Sequence, residues 1–163
     1  MEGSRGVTLI ELLVSIFIIG LFTMIVIPSY GRYSEQVKLK GAAEQVKSAL
    51  LEAQSLALNP RAVGSDIGQF KNESGPCYQL LFGLDVDRGS LKIVGVQNQF
   101  SYLPKGIVFS SLPTPNPIVF CQNDKGGVNN ISDDEIIITI HSNKLNQDKQ
   151  IKIQTKTGII TVP

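Results

Sequence analysis

Gly6-Val7-Thr8-Leu9-Ile10-Glu11-Leu12-Leu13-Val14 opens the run on which the reading of this chain turns. From Leu12 to Ile27 there is no charge, and the run of Leu, Ile, Val, Phe and Met is broken only by Ser15, Gly20 and Thr23. Val7 to Ile27 is 21 residues. As a helix that is roughly 31 Å, about the hydrocarbon thickness of a bilayer. Residues 7–28 therefore read as a transmembrane helix, and Glu11 is a carboxylate near its start. A charge at the centre of such a span costs about 2.5 to 3.5 kcal/mol on insertion scales, and less near an end. Glu11 thus needs a partner, and the uncut span offers none. Cutting after Gly6 would put a cationic amine on Val7, where it could pair with Glu11 of a neighbouring copy.

The stretch Gly6 to Leu12 resembles the class III signal of type IV pilins and type II secretion pseudopilins. In that family the leader ends in Gly, the first mature residue is N-methylated, and the fifth is Glu. Gly6, Val7 and Glu11 stand at those places, and Pro28 matches a proline that the family places just past the span. Val7 replaces the more usual Phe, and the leader carries one base, Arg5, and one acid, Glu2. The resemblance implies cleavage by prepilin peptidase between Gly6 and Val7 and a single pass through the inner membrane. The C-terminal domain would lie outside the cytoplasm. After assembly the chain would belong to a periplasmic or extracellular filament. The implied partners are other pilin or pseudopilin subunits, the peptidase, an inner-membrane assembly platform and membrane lipid. Glu11 is the implied assembly residue.

Two rival readings fit the N-terminus less well. A removable secretory signal needs small residues spaced for cleavage after the apolar run, whereas the run ends in Ile27-Pro28-Ser29-Tyr30-Gly31. A plain anchor leaves Gly6 and Glu11 unexplained. Positive charges flank both ends of the span, so they do not set its orientation. The 163 residues leave room for one domain beyond the helix. The net charge of +1 argues against a dedicated nucleic-acid binder. Cys77 and Cys121 are the two cysteines. Outside the cytoplasm they could form a disulfide; the alternative is two buried thiols.

The fold class read from the pattern is α+β, a long N-terminal helix packed on an antiparallel β domain, as in pilins. After Pro28 the chain becomes amphipathic. Leu39, Ala42, Ala43, Val46, Ala49, Leu50, Ala53, Leu56 and Ala57 recur at steps of three and four, which marks one buried helix face. Asn59-Pro60 should end the helix. Pro28 should bend it, and Gly20 with Pro28 should weaken the turns between them. The divisions are a leader at 1–6, the membrane and assembly helix at 7–28, an amphipathic helix at 29–59, a loop at 60–76 and a β domain at 77–163. Strands are expected at 78–84, 91–97, 107–110, 118–121, 135–141, 150–155 and 159–162. The triple Ile136-Ile137-Ile138 reads as apolar on both faces, and Asn123 to Asp134 as an exposed polar loop. The close, strand–Thr157-Gly158–strand, resembles the minor pseudopilin branch called GspH/FimT.

Chemistry-bearing clusters are sparse. His141 is the one histidine, and the sequence holds no catalytic triad, HExxH or CxxC pattern, so no enzyme is expected. No cofactor or metal is expected either. Asp85-Val86-Asp87 and Asp133-Asp134-Glu135 are acidic enough to raise calcium, which some pseudopilins bind. However, they lack EF-hand spacing, and solvated turn carboxylates are the commoner case. Some members of the FimT branch bind DNA for uptake through basic residues after the C-terminal Gly. Here Gly158 is followed by Ile159-Ile160-Thr161-Val162-Pro163, and only Lys149, Lys152 and Lys156 precede it. DNA is therefore the alternative partner and not the preferred one.

Overall fold

Thr8 has extended backbone, and its hydroxyl oxygen accepts the Glu11 N–H at 3.3 Å, capping one unbroken helix, α1, from Leu9 to Leu58. This computed structural model describes residues 8–59, 71–72, 75–83, 89–94, 99–125, 127–129, 131 and 133–163. Fifty residues at 1.5 Å each make α1 about 75 Å long. It ends where expected: Asn59 leaves the helix, and its N–H closes on the Ser55 carbonyl at 2.9 Å. The backbone stays helical at both Gly20 and Pro28. The Pro28 side chain, and the bend expected from it, lie outside the described residues, as do Gly6 and Val7.

Among the described residues nine strands follow, in two antiparallel sheets. The first sheet holds β1 (Lys71–Asn72), β2 (Gly75–Phe82), β3 (Ser90–Val94), β4 (Gln99–Tyr102) and β6 (Ile118–Cys121). The second holds β5 (Ile107–Ser111), β7 (Glu135–Ser142), β8 (Gln147–Gln154) and β9 (Ile160–Thr161), in the order β5-β7-β8-β9. The α+β architecture of the sequence reading is present: α1 lies on an antiparallel domain and touches β2, β6, β7 and β8.

The helix face is the predicted one. Leu39, Ala42, Ala43, Val46, Ala49, Leu50, Ala53 and Ala57 are buried, and Leu56 is partly so. Five of these are alanines, so the bulk at the interface comes from the sheets. Leu80, Phe82, Phe109, Phe120, Ile138, Ile140, Ile151 and Ile153 press into the space that the small side chains leave. Phe82 and Phe109 meet edge to face at 5.5 Å and join the two sheets. Each fully buried Leu, Ile or Phe contributes about 1.5–3 kcal/mol, so this layer holds the helix to the domain.

Several boundaries differ from the sequence reading. The expected loop at 60–76 contains β1 and the start of β2, paired Lys71 to Pro76 and Asn72 to Gly75. The pairing is through backbone, so polar residues gave no alternating pattern to read; residues 60–70 lie outside the description. Strand β4 was not expected, yet Gln99 to Tyr102 pairs along β3. Strand β8 begins at Gln147, three residues early, because a tight turn lets Ser142 pair with Gln147. Ile137 is 41% exposed while Ile136 and Ile138 are buried. Strand β7 is thus interior to its sheet, but only one of its faces is covered, and alternation wins over composition. The segment after Cys121 is not a plain exposed loop. Val128 bonds the Thr155 carbonyl at 2.8 Å, and Asn129 bonds that of Val119 at 2.9 Å. Gly127 permits this approach, since a Cβ there would stand 2.8 Å from the Thr155 oxygen.

Candidate processing and assembly site

Glu11 occupies the third position of α1. Its N–H is held by Thr8, and its carboxylate, exposed, bonds to no described residue. An acid in the first turn faces the positive end of the helix dipole, which stabilises the charge modestly. Around and beyond it the surface is bare hydrocarbon. Leu9, Ile10, Phe17, Phe22 and Met24 are each more than 60% exposed, and no part of the β domain covers them. The hydroxyls in this stretch are turned inward: Ser15 donates to the Glu11 carbonyl and Thr23 to that of Ile19, each at 2.7 Å. The run therefore presents no unpaired hydroxyl donor. Leu13, Ile16, Phe17, Leu21 and Met24 rim a shallow dent at Gly20. A contiguous apolar surface of this size marks contact with a membrane or another protein.

Residues 1–27 match the family model of the prokaryotic N-terminal methylation motif. The chain carries a prepilin-type processing signal. Gly6, Val7 and Glu11 all fall within the matched residues. No curated protein and no solved structure matches the chain. Among the described residues no helix is long and apolar enough to cross a membrane. The methylation-motif region includes Val7 and side chains 25–27, which lie beyond that description.

The other singled-out residues fall elsewhere. Cys77 and Cys121 are directly opposite in the β2–β6 register, with Cα atoms 4.1 Å apart, and are joined by a disulfide. His141 pairs across β7–β8 with Asp148 at 2.7 Å, on a half-buried strand surface. Lys152 pairs with Glu135 at 3.4 Å, Lys156 with Asp134 at 2.6 Å, and Lys149 with the Pro163 carbonyl. The three lysines do not share one stripe: Lys149 and Lys152 point to opposite faces of β8 by parity, and Lys156 sits in the turn after it. Hydrogen bonding and attraction from Lys156 hold the Asp134 carboxyl below its ordinary value and raise the lysine in return. Asp85 and Asp87 lie outside the described residues, and among those described no three metal-ligating side chains cluster.

One group was missed. Glu35 is buried where the β domain begins to cover α1, and it accepts from Lys38 at 2.8 Å and Lys144 at 3.2 Å. The bonds from Lys38 and Lys144 hold its carboxyl below the usual range; burial opposes them and is the weaker influence. The signal was present: Glu35 precedes Leu39 by four and Ala42 by seven, so it lies on the apolar stripe. A carboxylate at that spacing implies a cation brought from another element.

Proposed function

We propose that this chain is a pilin-like structural subunit, cut by prepilin peptidase after Gly6 and methylated on the Val7 amine. It would be stored in the inner membrane through residues 7–28 and assembled, as a minor component, into a type II secretion pseudopilus or a type IV pilus. The observation that carries this reading is the methylation motif leading straight into an uncovered apolar helix. Two further features support it: a disulfide, which fits a domain outside the cytoplasm, and a strand–Gly158–strand ending that resembles the GspH/FimT branch. No catalytic step and no cofactor belongs to the reading.

Within it, Glu11 neutralises the Val7 amine of an adjacent subunit. In a bundle of apolar helices an unpaired carboxylate is costly, so the pair selects the register in which subunits pack. Glu11→Ala should leave cleavage intact, seen as the mass of the mature chain, and sharply reduce recovery in sheared filaments. Normal incorporation of that variant would refute the pairing. The DNA-receptor alternative gains nothing from its three lysines, each of which already has a partner.

A further inference from the structure

Among the described residues α1 is first buried at Glu35, and Tyr30, Arg32 and Tyr33 protrude below the rim of the β domain. Among the described residues two turns lie at the rim. Asn143–Asn146, between β7 and β8, is tied to α1 by Lys144 on Glu35. The turn ending at Gly106 is tied to the first by the Asn143 N–H on the Gly106 carbonyl, at 3.0 Å. That second turn carries Lys105, exposed.

Height along the helix follows from its rise. Taking Ile27 as the end of the apolar run, Tyr30 stands about 4.5 Å above it, Tyr33 about 9 Å, and Glu35 with Lys144 about 12 Å. The polar layer of a bilayer extends about 5–8 Å beyond the hydrocarbon on each side. The two tyrosines therefore span that layer, where aromatic rings concentrate. An average helix tilt of about 20° brings one side of a rim offset by about 10 Å some 3 Å closer. The charges there are unbalanced. Arg32, Lys38, Lys105 and Lys144 stand against Glu35 and Asp148 among the described residues. Glu35 satisfies only one of the two lysines that it holds.

We propose that this rim is a membrane-docking surface, seated on the phosphates of anionic lipids while the subunit is stored in the bilayer. The inference rests on the membrane reading of residues 7–28. Its partner follows from position and charge: the surface is continuous with the apolar run, bears exposed tyrosines, and carries surplus cations just above the headgroup layer, within reach of extended lysine side chains. Seating there would fix the depth of the domain and hold Lys105 and Lys144 against the lipid until the subunit is lifted out.

The test uses the full chain in nanodiscs of phosphatidylcholine, with or without about a third phosphatidylglycerol. Amide hydrogen exchange is followed in peptides covering residues 103–107 and 142–147. Exchange there should slow at least threefold in the anionic discs, and 0.5 M NaCl should abolish the difference. Lys105→Glu, which leaves the Glu35 bonds intact, should also abolish it; Lys144→Glu should do the same but would disturb Glu35. Equal exchange in the two kinds of disc, with the chain integrated in both, overturns the docking surface and spares the membrane reading. A chain that enters neither kind overturns both.

Discussion

Removing the Cys77–Cys121 bridge isolates its effect on the unfolded chain, because both cysteines sit on paired strands that remain paired without it. The bridge closes a loop across a sequence separation of 44. Loop-closure entropy for that length is about 13 cal/mol/K, or about 4 kcal/mol at room temperature. A domain of this size is stable by only about 5–15 kcal/mol, so the loss should be large. The comparison is urea unfolding of the full chain in detergent, oxidised against reduced, with Cys77→Ala/Cys121→Ala as a control that needs no reductant. The midpoint should fall in both, and the slope should steepen because the unlinked chain exposes more surface. If the oxidised and reduced forms unfold within about 1 kcal/mol of each other, the entropic reasoning fails for this bridge.

Three further outcomes follow from the packing. Leu50→Ala, in the middle of the buried helix face, should cost about 2–5 kcal/mol in the same unfolding assay. Gly127→Ala should cost about 1–3 kcal/mol, because its methyl would meet the Thr155 carbonyl at 2.8 Å; the Val128 amide should then exchange faster. Glu35 has a depressed folded-state pKa, so its contribution is fully present above the unfolded carboxylate value of about 4.3. That contribution disappears as the pH falls through the lower folded value. Unfolding midpoints of the native chain and Glu35→Gln should therefore differ at pH 7 and converge only once the pH has fallen through the lowered folded-state value.

Much of the helix was legible because its signals are local. The three-and-four spacing from Leu39 to Ala57 and the stop at Asn59-Pro60 are read from neighbours in the chain. Strand β6 was equally plain, a short apolar run after Pro113, Pro115 and Pro117. What stayed hidden depends on distant partners. Strand β4 holds its place through β3, and the Gln45 amide on the Ser101 hydroxyl and Tyr102 carbonyl adds a tie to α1. The Ile137 side chain looks outward because β7 has a covering layer on one side only. Of the processing signal, the stretch that the methylation-motif model matches was visible in the sequence, since such a signal is a local pattern. The Glu35 cluster was half visible: its spacing announced a buried acid, but Lys144 lies 109 positions away.

Because α1 is one helix from tail to domain, the two ends are coupled like a screw and its nut. Each residue inserted between Pro28 and Glu35 would raise the domain by about 1.5 Å and swing it by about 100° about the axis. In the filament proposed above, tails locked in place would then leave a different side of every head on display. Lengthening by seven residues nearly restores the azimuth, to within about 20°, while adding about 10 Å of reach. Insertions of seven or eleven residues in that segment, each within about 20° of the original azimuth, should thus be tolerated, and insertions of five or nine rejected.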